Sequence, residues 1–176
     1  MTIKKINYCP NCAHKIDKQS DHLYICQLCS FHFYENPRPT NGLLVENEKG
    51  EILLVKRKIA PKKDFWDIPG GFVALDETIE ESLIREIREE LGANPKDIKY
   101  LTSLPDKYLY KGFHFHTLCF VFVGRVNTDE LKPHDDISEL KFFPKNKIPF
   151  RKIAFEGVKK SINIYLSSFD KSKGSP

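Results

Sequence analysis

No stretch of this 176-residue sequence is apolar for long enough to cross a membrane, and its N-terminus, MTIKKINYCP, lacks the apolar core of a secretion signal. The expectation is a cytoplasmic protein with no membrane partner. Neither sign of charge dominates. A formal net charge of +4 is too small a surplus to argue for nucleic acid by itself, and it suits anionic small molecules equally well. Internal repeats and low-complexity tracts are also missing, which excludes a solenoid. Cysteine is scarce, with five in the chain. Four of the five nevertheless stand in two pairs, Cys9-Pro-Asn-Cys12 and Cys26-Gln-Leu-Cys29, thirteen residues apart. Thiols stay reduced in the cytosol, so clustered ones there hold metal more often than they form disulfides. Two CxxC knuckles complete a closed four-thiolate site with no place for substrate, so the expected ion is a structural Zn²⁺. Some 36 residues bury too little surface to fold unaided, and the metal stands in for a core. Cys119, in the apolar run Thr117–Val123, reads as a core residue.

The expected organisation is a zinc ribbon over 1–36, a catalytic-size domain over 37–170 and a disordered tail over 171–176. The segment Asn36–Gly42 (NPRPTNG) marks the boundary, with two prolines and a glycine. Gly42–Glu46 and Glu51–Lys58 read as a hairpin or neighbouring strands, and Asp64–Ala74 as a strand broken at Pro69-Gly70-Gly71. A helix follows, capped by Asp76 or by Thr78 with Glu81, and stopped by Gly92. Further strands fit Ile98–Leu104, Phe113–Val123 and Leu140–Phe143. A second helix fits Phe155–Ser168, where Phe155, Val158, Ile162, Tyr165 and Leu166 recur at helical spacing. Mixed strands with two helices predict an α/β layered domain.

The first helix ends REIREELG (Arg85–Gly92), and its carboxylates are in the wrong place. Glu89 and Glu90 occupy the negative end of the macrodipole. Glu86 and Glu90, four apart, repel each other at a cost of roughly 0.2–0.5 kcal/mol. At about 100° per residue, they lie beside the apolar stripe of Leu83, Ile87 and Leu91, not on the far solvated face. A divalent cation would relieve all three penalties, because hard ions such as Mg²⁺ take carboxylate oxygens and share their other sites with water and phosphate. Gly70-Gly71 would let backbone approach such an ion.

Gly71, Glu77 and Arg85-Glu86-Ile87-x-Glu89-Glu90-x-Gly92 match every charged and glycine position of the Nudix box, G-x5-E-x7-R-E-U-x-E-E-x-G-U, where U is a bulky aliphatic. The last position, Ala93, departs from it. The sequence therefore resembles the Nudix hydrolases over about residues 40–168. With its ribbon it is similar to the subgroup holding NADH pyrophosphatases and some flavin-nucleotide hydrolases. The resemblance implies an α/β/α sandwich with a mixed sheet, Mg²⁺ or Mn²⁺ as cofactor and a small nucleotide as substrate. It implies Glu86, Glu89, Glu90 and the Gly70 carbonyl as ligands, Arg85 as the residue orienting a box glutamate, and Glu77 holding the loop–helix junction. The implied reaction cleaves the diphosphate of a nucleoside diphosphate linked to another moiety, such as NADH, FAD or ADP-ribose. Diadenosine polyphosphates and capped RNA ends stay open.

The general base is open among Glu89, Asp135, Asp136 and Glu139. Arg57, Tyr108 and Tyr110 are candidates for substrate contact, with Lys107 and Lys111 beside the tyrosines in SLPDKYLYKG (Ser103–Gly112). That stretch stands where NADH pyrophosphatases carry an SQPWPFP-type motif. Trp66 and Phe65 are further aromatic candidates, and core packing suits Trp66 better. His114 and His116 share one strand face, which fits a half-exposed strand better than a cleft. A different class of function is a nucleotide-sensing or nucleic-acid-binding regulator. The weakly basic ribbon, with Lys4, Lys5, Lys15 and Lys18 against Asp17, Asp21 and Glu35, makes nucleic acid the lesser expectation. A homodimer is left open.

Overall fold

The computed structural model describes residues 6–129 and 131–172. Three short antiparallel strands form the N-terminal ribbon: β1 (Asp17–Lys18), β2 (Leu23–Ile25) and β3 (His32–Tyr34). Its own buried cluster is Cys9, Ile16, Tyr24 and Cys26, too few groups to stabilise a fold by apolar burial alone.

The larger domain runs β4 (Arg38–Val45), β5 (Ile52–Arg57), β6 (Trp66–Asp67), α1 (Ile79–Leu91), β7 (Lys96–Tyr110), β8 (Phe113–Arg125), β9 (Ile137–Phe143) and α2 (Glu156–Ser172). Two three-stranded sheets result, ordered β4-β8-β7 and β6-β5-β9. The β4–β8 pair is parallel and the others antiparallel. Side chains alternate across a strand, so β4 and β5 each feed two cores. Leu43, Val45, Leu53 and Val55 pack with Leu83, Ile87 and Leu91 of α1. Their neighbours Leu44, Ile52 and Leu54 pack with Val158, Ile162 and Tyr165 of α2. The result is an α/β/α sandwich with a mixed strand arrangement, preceded by a ribbon. Among the described residues no helix is long and apolar enough to cross a membrane.

Several expectations shift. The NEKG turn forms, with the Gly50 N–H on the Asn47 carbonyl at 2.9 Å, but the strands it joins share only the Glu46–Ile52 bridge and then part into different sheets. Both are buried on two faces, and each gains more from its own sheet than from the other. Arg38–Gly42 belongs to β4 rather than to a linker. The strand expected to end at Leu104 continues: β7 runs through Pro105 to Tyr110 and pairs with β8 up to Tyr110–Phe113. Pro105 is tolerated because β7 is an edge strand. Tyr108 and Tyr110 are therefore strand residues. Cys119 is half-buried and packs against the core on the α2 side. Helix α2 continues to Ser172, and the rest of the expected tail, 173–176, lies outside the described residues.

Candidate active site

Thr78, not Asp76, caps α1. Its hydroxyl accepts the Glu81 N–H at 3.1 Å, and Glu81 Oε2 accepts the Thr78 N–H at 2.9 Å. Gly92 closes the helix at φ 70°, the left-handed conformation that glycine adopts without strain. Ahead of the helix, Pro69–Val73 lies antiparallel along β4. The Leu43 N–H meets the Pro69 carbonyl at 2.9 Å, and the Asn41 N–H meets the Gly71 carbonyl at 2.9 Å. Buried Asn41 ties this loop to the helix through Ser82, Nδ2 to Oγ 2.9 Å.

The two glycines there serve different ends. Gly70 sits at φ 141°, and a Cβ would fall 2.4 Å from the Asn41 carbonyl oxygen. A Cβ on Gly71 would fall 2.5 Å from the carboxyl carbon of Glu86, and its nearest neighbours are all atoms of that side chain. Gly70→Ala is therefore expected to destabilise the fold by about 1–3 kcal/mol. Gly71→Ala should leave the melting temperature nearly unchanged while lowering kcat/KM by about 10–100-fold, because it displaces a carboxylate that positions the site. Thermal melts and kinetics on both variants check the contrast.

Arg85 gathers the box. It grips Glu77 through Nε (2.6 Å) and Nη2 (2.9 Å), and reaches Glu86 (2.8 Å), Glu89 (3.1 Å) and the Phe72 carbonyl (3.1 Å). The Glu77 carboxyl is held down at about 2, first by its bond from Arg85 and then by the Ala74 N–H. Glu86 and Glu90 shift the other way. Burial pushes the Glu90 carboxyl up to about 8, with the charges of Glu86 and Asp67 adding to it and the N–H of Gly70 at 2.9 Å opposing. Burial also raises Glu86, against the pull of Arg85. A cation beside these two carboxyls would favour their charged forms.

A cavity of about 370 Å³ opens on these groups. Its lining holds seven carboxylates, Asp67, Glu86, Glu89, Glu90, Asp106, Asp135 and Asp136, against two cationic side chains, Arg57 and Lys107. In a chain of net charge +4 that is a local inversion of sign. Oxygen donors in this number suit a hard divalent ion; Glu86, Glu89 and Glu90 all line the cavity, although among the described residues only the four cysteines gather three or more ligand atoms within 4.8 Å of one another. An aromatic wall contributes Phe72, Tyr108 and Phe155, with ring centroids 5.5 Å apart for Phe72–Tyr108 and 5.8 Å for Tyr108–Phe155. Arg57 pairs with buried Asp67 at 3.0 Å and lies over Phe155, 5.1 Å from its centroid. Burial pushes the Asp67 carboxyl up to about 6 in spite of that arginine.

Of the residues singled out in the sequence, the cavity unites Arg57, Gly70, Gly71, Glu86, Glu89, Glu90, Lys107, Tyr108, Asp135 and Asp136. The loop carrying the two aspartates is tied to the end of α1, with the His134 N–H on the Glu90 carbonyl at 3.0 Å. The Gly70 contact recorded with Glu90 runs through the glycine N–H, not its carbonyl. Glu139 is not brought in: it pairs with Lys56 and lies outside the lining. Tyr110 is also outside, its ring 6.4 Å from that of Tyr108. His114 and His116 face a different groove. Sequence reasoning missed Asn41, Asp67, Phe72, Asp106 and Phe155, which converge from separate elements. A helix-start reading could have found Asp106 only with its partner known: its Oδ2 accepts the Gly157 N–H at 2.7 Å, at the start of α2.

In the ribbon, Cys9, Cys12, Cys26 and Cys29 hold their sulfurs within 4.8 Å of one another. The Cys9–Cys29 pair is at 3.7 Å and Cys12–Cys26 at 3.6 Å. Tetrahedral zinc with bonds of ~2.3 Å needs sulfur–sulfur edges of about 3.8 Å. The set fits Zn²⁺.

Residues 36–162 match the NUDIX domain. An ADP-ribose pyrophosphatase of Methanocaldococcus jannaschii is 38% identical over 135 residues, 75% of each chain. A NAD-capped RNA hydrolase NudC of Pseudomonas aeruginosa is 26% identical over 164 residues, 91% of this chain and 55% of that one. The chain thus spans about half the length of that relative. The crystal structure of a NUDIX hydrolase from Nitrosomonas europaea superposes with a TM-score of 0.72 at 25% identity, covering 97% of this chain and 95% of the other. The chain belongs to the NUDIX domain family, as a Nudix pyrophosphohydrolase.

Proposed function

We propose that the protein hydrolyses the diphosphate of a nucleoside diphosphate joined to a second moiety, a dinucleotide-like substrate or ADP-ribose, in the presence of Mg²⁺ or Mn²⁺. The observation that carries this reading is the single cavity in which seven carboxylates face three aromatic rings. Carboxylates alone would repel a polyphosphate, and rings alone would bind a base without acting on it. Glu86, Glu89 and Glu90 hold the divalent ion, with the backbone of Gly70 beside them. Bound there, such an ion neutralises phosphate charge and acidifies an attacking water. Arg85 keeps Glu86 and Glu89 in place. Arg57, braced by Asp67, presents its guanidinium to a phosphate. The base stacks on Phe72, Tyr108 or Phe155. Proton removal falls to Glu89, Asp135 or Asp136, the exposed acids of the cavity. The four cysteines hold a structural Zn²⁺. Relatives that act on ADP-ribose and on NAD-capped RNA support the substrate class.

The test is kcat/KM for ADP-ribose, NADH, FAD, diadenosine tetraphosphate and the common nucleoside triphosphates with Mg²⁺ or Mn²⁺, products being identified by mass spectrometry. One of the first four is expected to lead. A triphosphate ahead by tenfold, about 1.4 kcal/mol in the transition state, would overturn the reading.

A further inference from the structure

A second hollow, of about 1110 Å³, lies between the ribbon and the β7–β8 hairpin. It adjoins the carboxylate cavity, with Asp106, Lys107 and Thr117 lining both. We propose that this groove between ribbon and hairpin is the subsite for the second nucleoside of a dinucleotide whose diphosphate lies in the carboxylate cavity. The proposal rests on the dinucleotide reading above and says which part of the molecule would recognise the second half of that substrate.

Three observations point there. The first is room. At about 370 Å³ the carboxylate cavity stands near the lower end of the ~300–1,000 Å³ range of small-ligand sites. One nucleotide half fills it, and the other half must leave through a boundary. The boundary shared with the groove is the Asp106–Lys107–Thr117 seam.

The second is the surface offered. On the ribbon wall, His22 and Tyr34 stack at 6.4 Å with their planes 29° apart, and Tyr34 is 51% exposed. On the hairpin wall, Phe113 is 48% exposed, and Phe115 carries the Arg38 guanidinium 4.2 Å from its ring centroid. Aromatic faces left open on two facing walls forgo burial that a core would give them. They suit a flat, polarisable base, which stacks on any such ring.

The third is charge, and it decides what kind of occupant the groove takes. Lys18, Arg38 and Lys107 are matched one for one by Asp21, Glu35 and Asp106. A charge-balanced groove suits a neutral base and its sugar. A chain of nucleotides, each with its phosphate, calls for a surplus of positive charge. The groove therefore fits one nucleoside rather than an RNA strand.

The experiment uses the full zinc-loaded chain with Tyr34→Ala on one wall and Phe113→Ala on the other. Both rings are exposed, and neither belongs to the machinery assigned above. Each variant is expected to lose about tenfold in kcat/KM on NADH and FAD, carried by KM, while ADP-ribose, which lacks a second nucleoside base, stays within twofold. Binding is read separately without Mg²⁺, by following the imidazole resonances of His22, His114 and His116 as NAD⁺, ADP-ribose or a short 5′-phosphorylated oligonucleotide is added. NAD⁺ should shift them at concentrations where ADP-ribose does not. Equal kinetic losses on both substrate types, no losses in either variant, or no NAD⁺ shift would overturn the groove assignment while leaving hydrolysis in place. Tighter shifts from the oligonucleotide would overturn it in favour of an RNA strand. If triphosphates alone are cleaved, the dinucleotide reading fails, and NAD⁺ shifts would still identify a nucleoside site.

Discussion

Glu90→Gln is expected to lower kcat/KM by about a thousandfold and to make the metal-free protein more stable at pH 8. The loss of rate corresponds to ~4 kcal/mol, within the several kcal/mol that a well-placed divalent ion contributes to phosphoryl chemistry. The gain in stability follows from where the carboxyl is held. Glu90 is 8% exposed, and its folded value of about 8 lies above the ordinary 4.5. A carboxyl raised on folding binds its proton more tightly in the native state. Its contribution to stability is therefore fully present below about 4.5 and is lost as pH climbs through about 8. Between those limits the metal-free wild type should lose stability with rising pH, by a few kcal/mol in all. Glutamine stays neutral throughout and still offers an oxygen to the Gly70 N–H. The melting temperatures of the two metal-free proteins should converge near pH 4.5 and separate steadily toward pH 8, with the variant higher. Added Mg²⁺ should raise the wild type and not the variant. Near-normal turnover in Glu90→Gln, or a gap that does not grow with pH, would remove Glu90 from the metal site.

The box helix was readable because everything that defines it is local. Thr78 and Glu81 cap within one turn, Gly92 stops the chain, and the misplaced carboxylates fall on one stripe that a helical projection reveals. The four cysteines were readable for the same reason, spacing alone bringing each pair together. What the sequence hid is non-local. β4 and β5 both look like halves of a hairpin, and only the burial of both their faces sends them into separate sheets. Glu139 sits in an acidic stretch beside two aspartates that do reach the cavity. Its place on β9 turns it toward Lys56, 83 positions earlier in the chain. Phe72, Tyr108 and Phe155 have nothing in common along the sequence, yet their rings meet within 6 Å. The aromatic content of β7 was visible, but ending the strand at Leu104 concealed the hairpin that forms one wall of the groove.

Cys26→Ser should unfold the ribbon and leave the sandwich standing. The ribbon strands are two or three residues long, and four buried side chains make up its cluster, two of them zinc-ligand candidates. Cys26 is fully enclosed and sits 3.6 Å from Cys12, so a hydroxyl there removes a soft ligand without offering zinc a comparable one. Structural zinc supplies on the order of 10 kcal/mol to small domains of this kind, far more than so few contacts can replace. The sandwich has its own two cores, drawn from β4, β5 and the helices, and depends on none of these contacts. Elemental analysis should find about one zinc per wild-type chain, the content of a single four-thiolate site, and a substoichiometric amount in the variant. Amide exchange should accelerate across 6–35 and stay slow in β4, β5 and α1. Because the ribbon forms one wall of the groove, the variant should also reproduce the substrate split expected of Tyr34→Ala, with KM rising on NADH and FAD and little change on ADP-ribose. Slow exchange over 6–35 in a zinc-free variant would mean that the cysteines are not what holds the ribbon together. Equal damage to all three substrates would mean that the ribbon supports the sandwich rather than the second nucleoside.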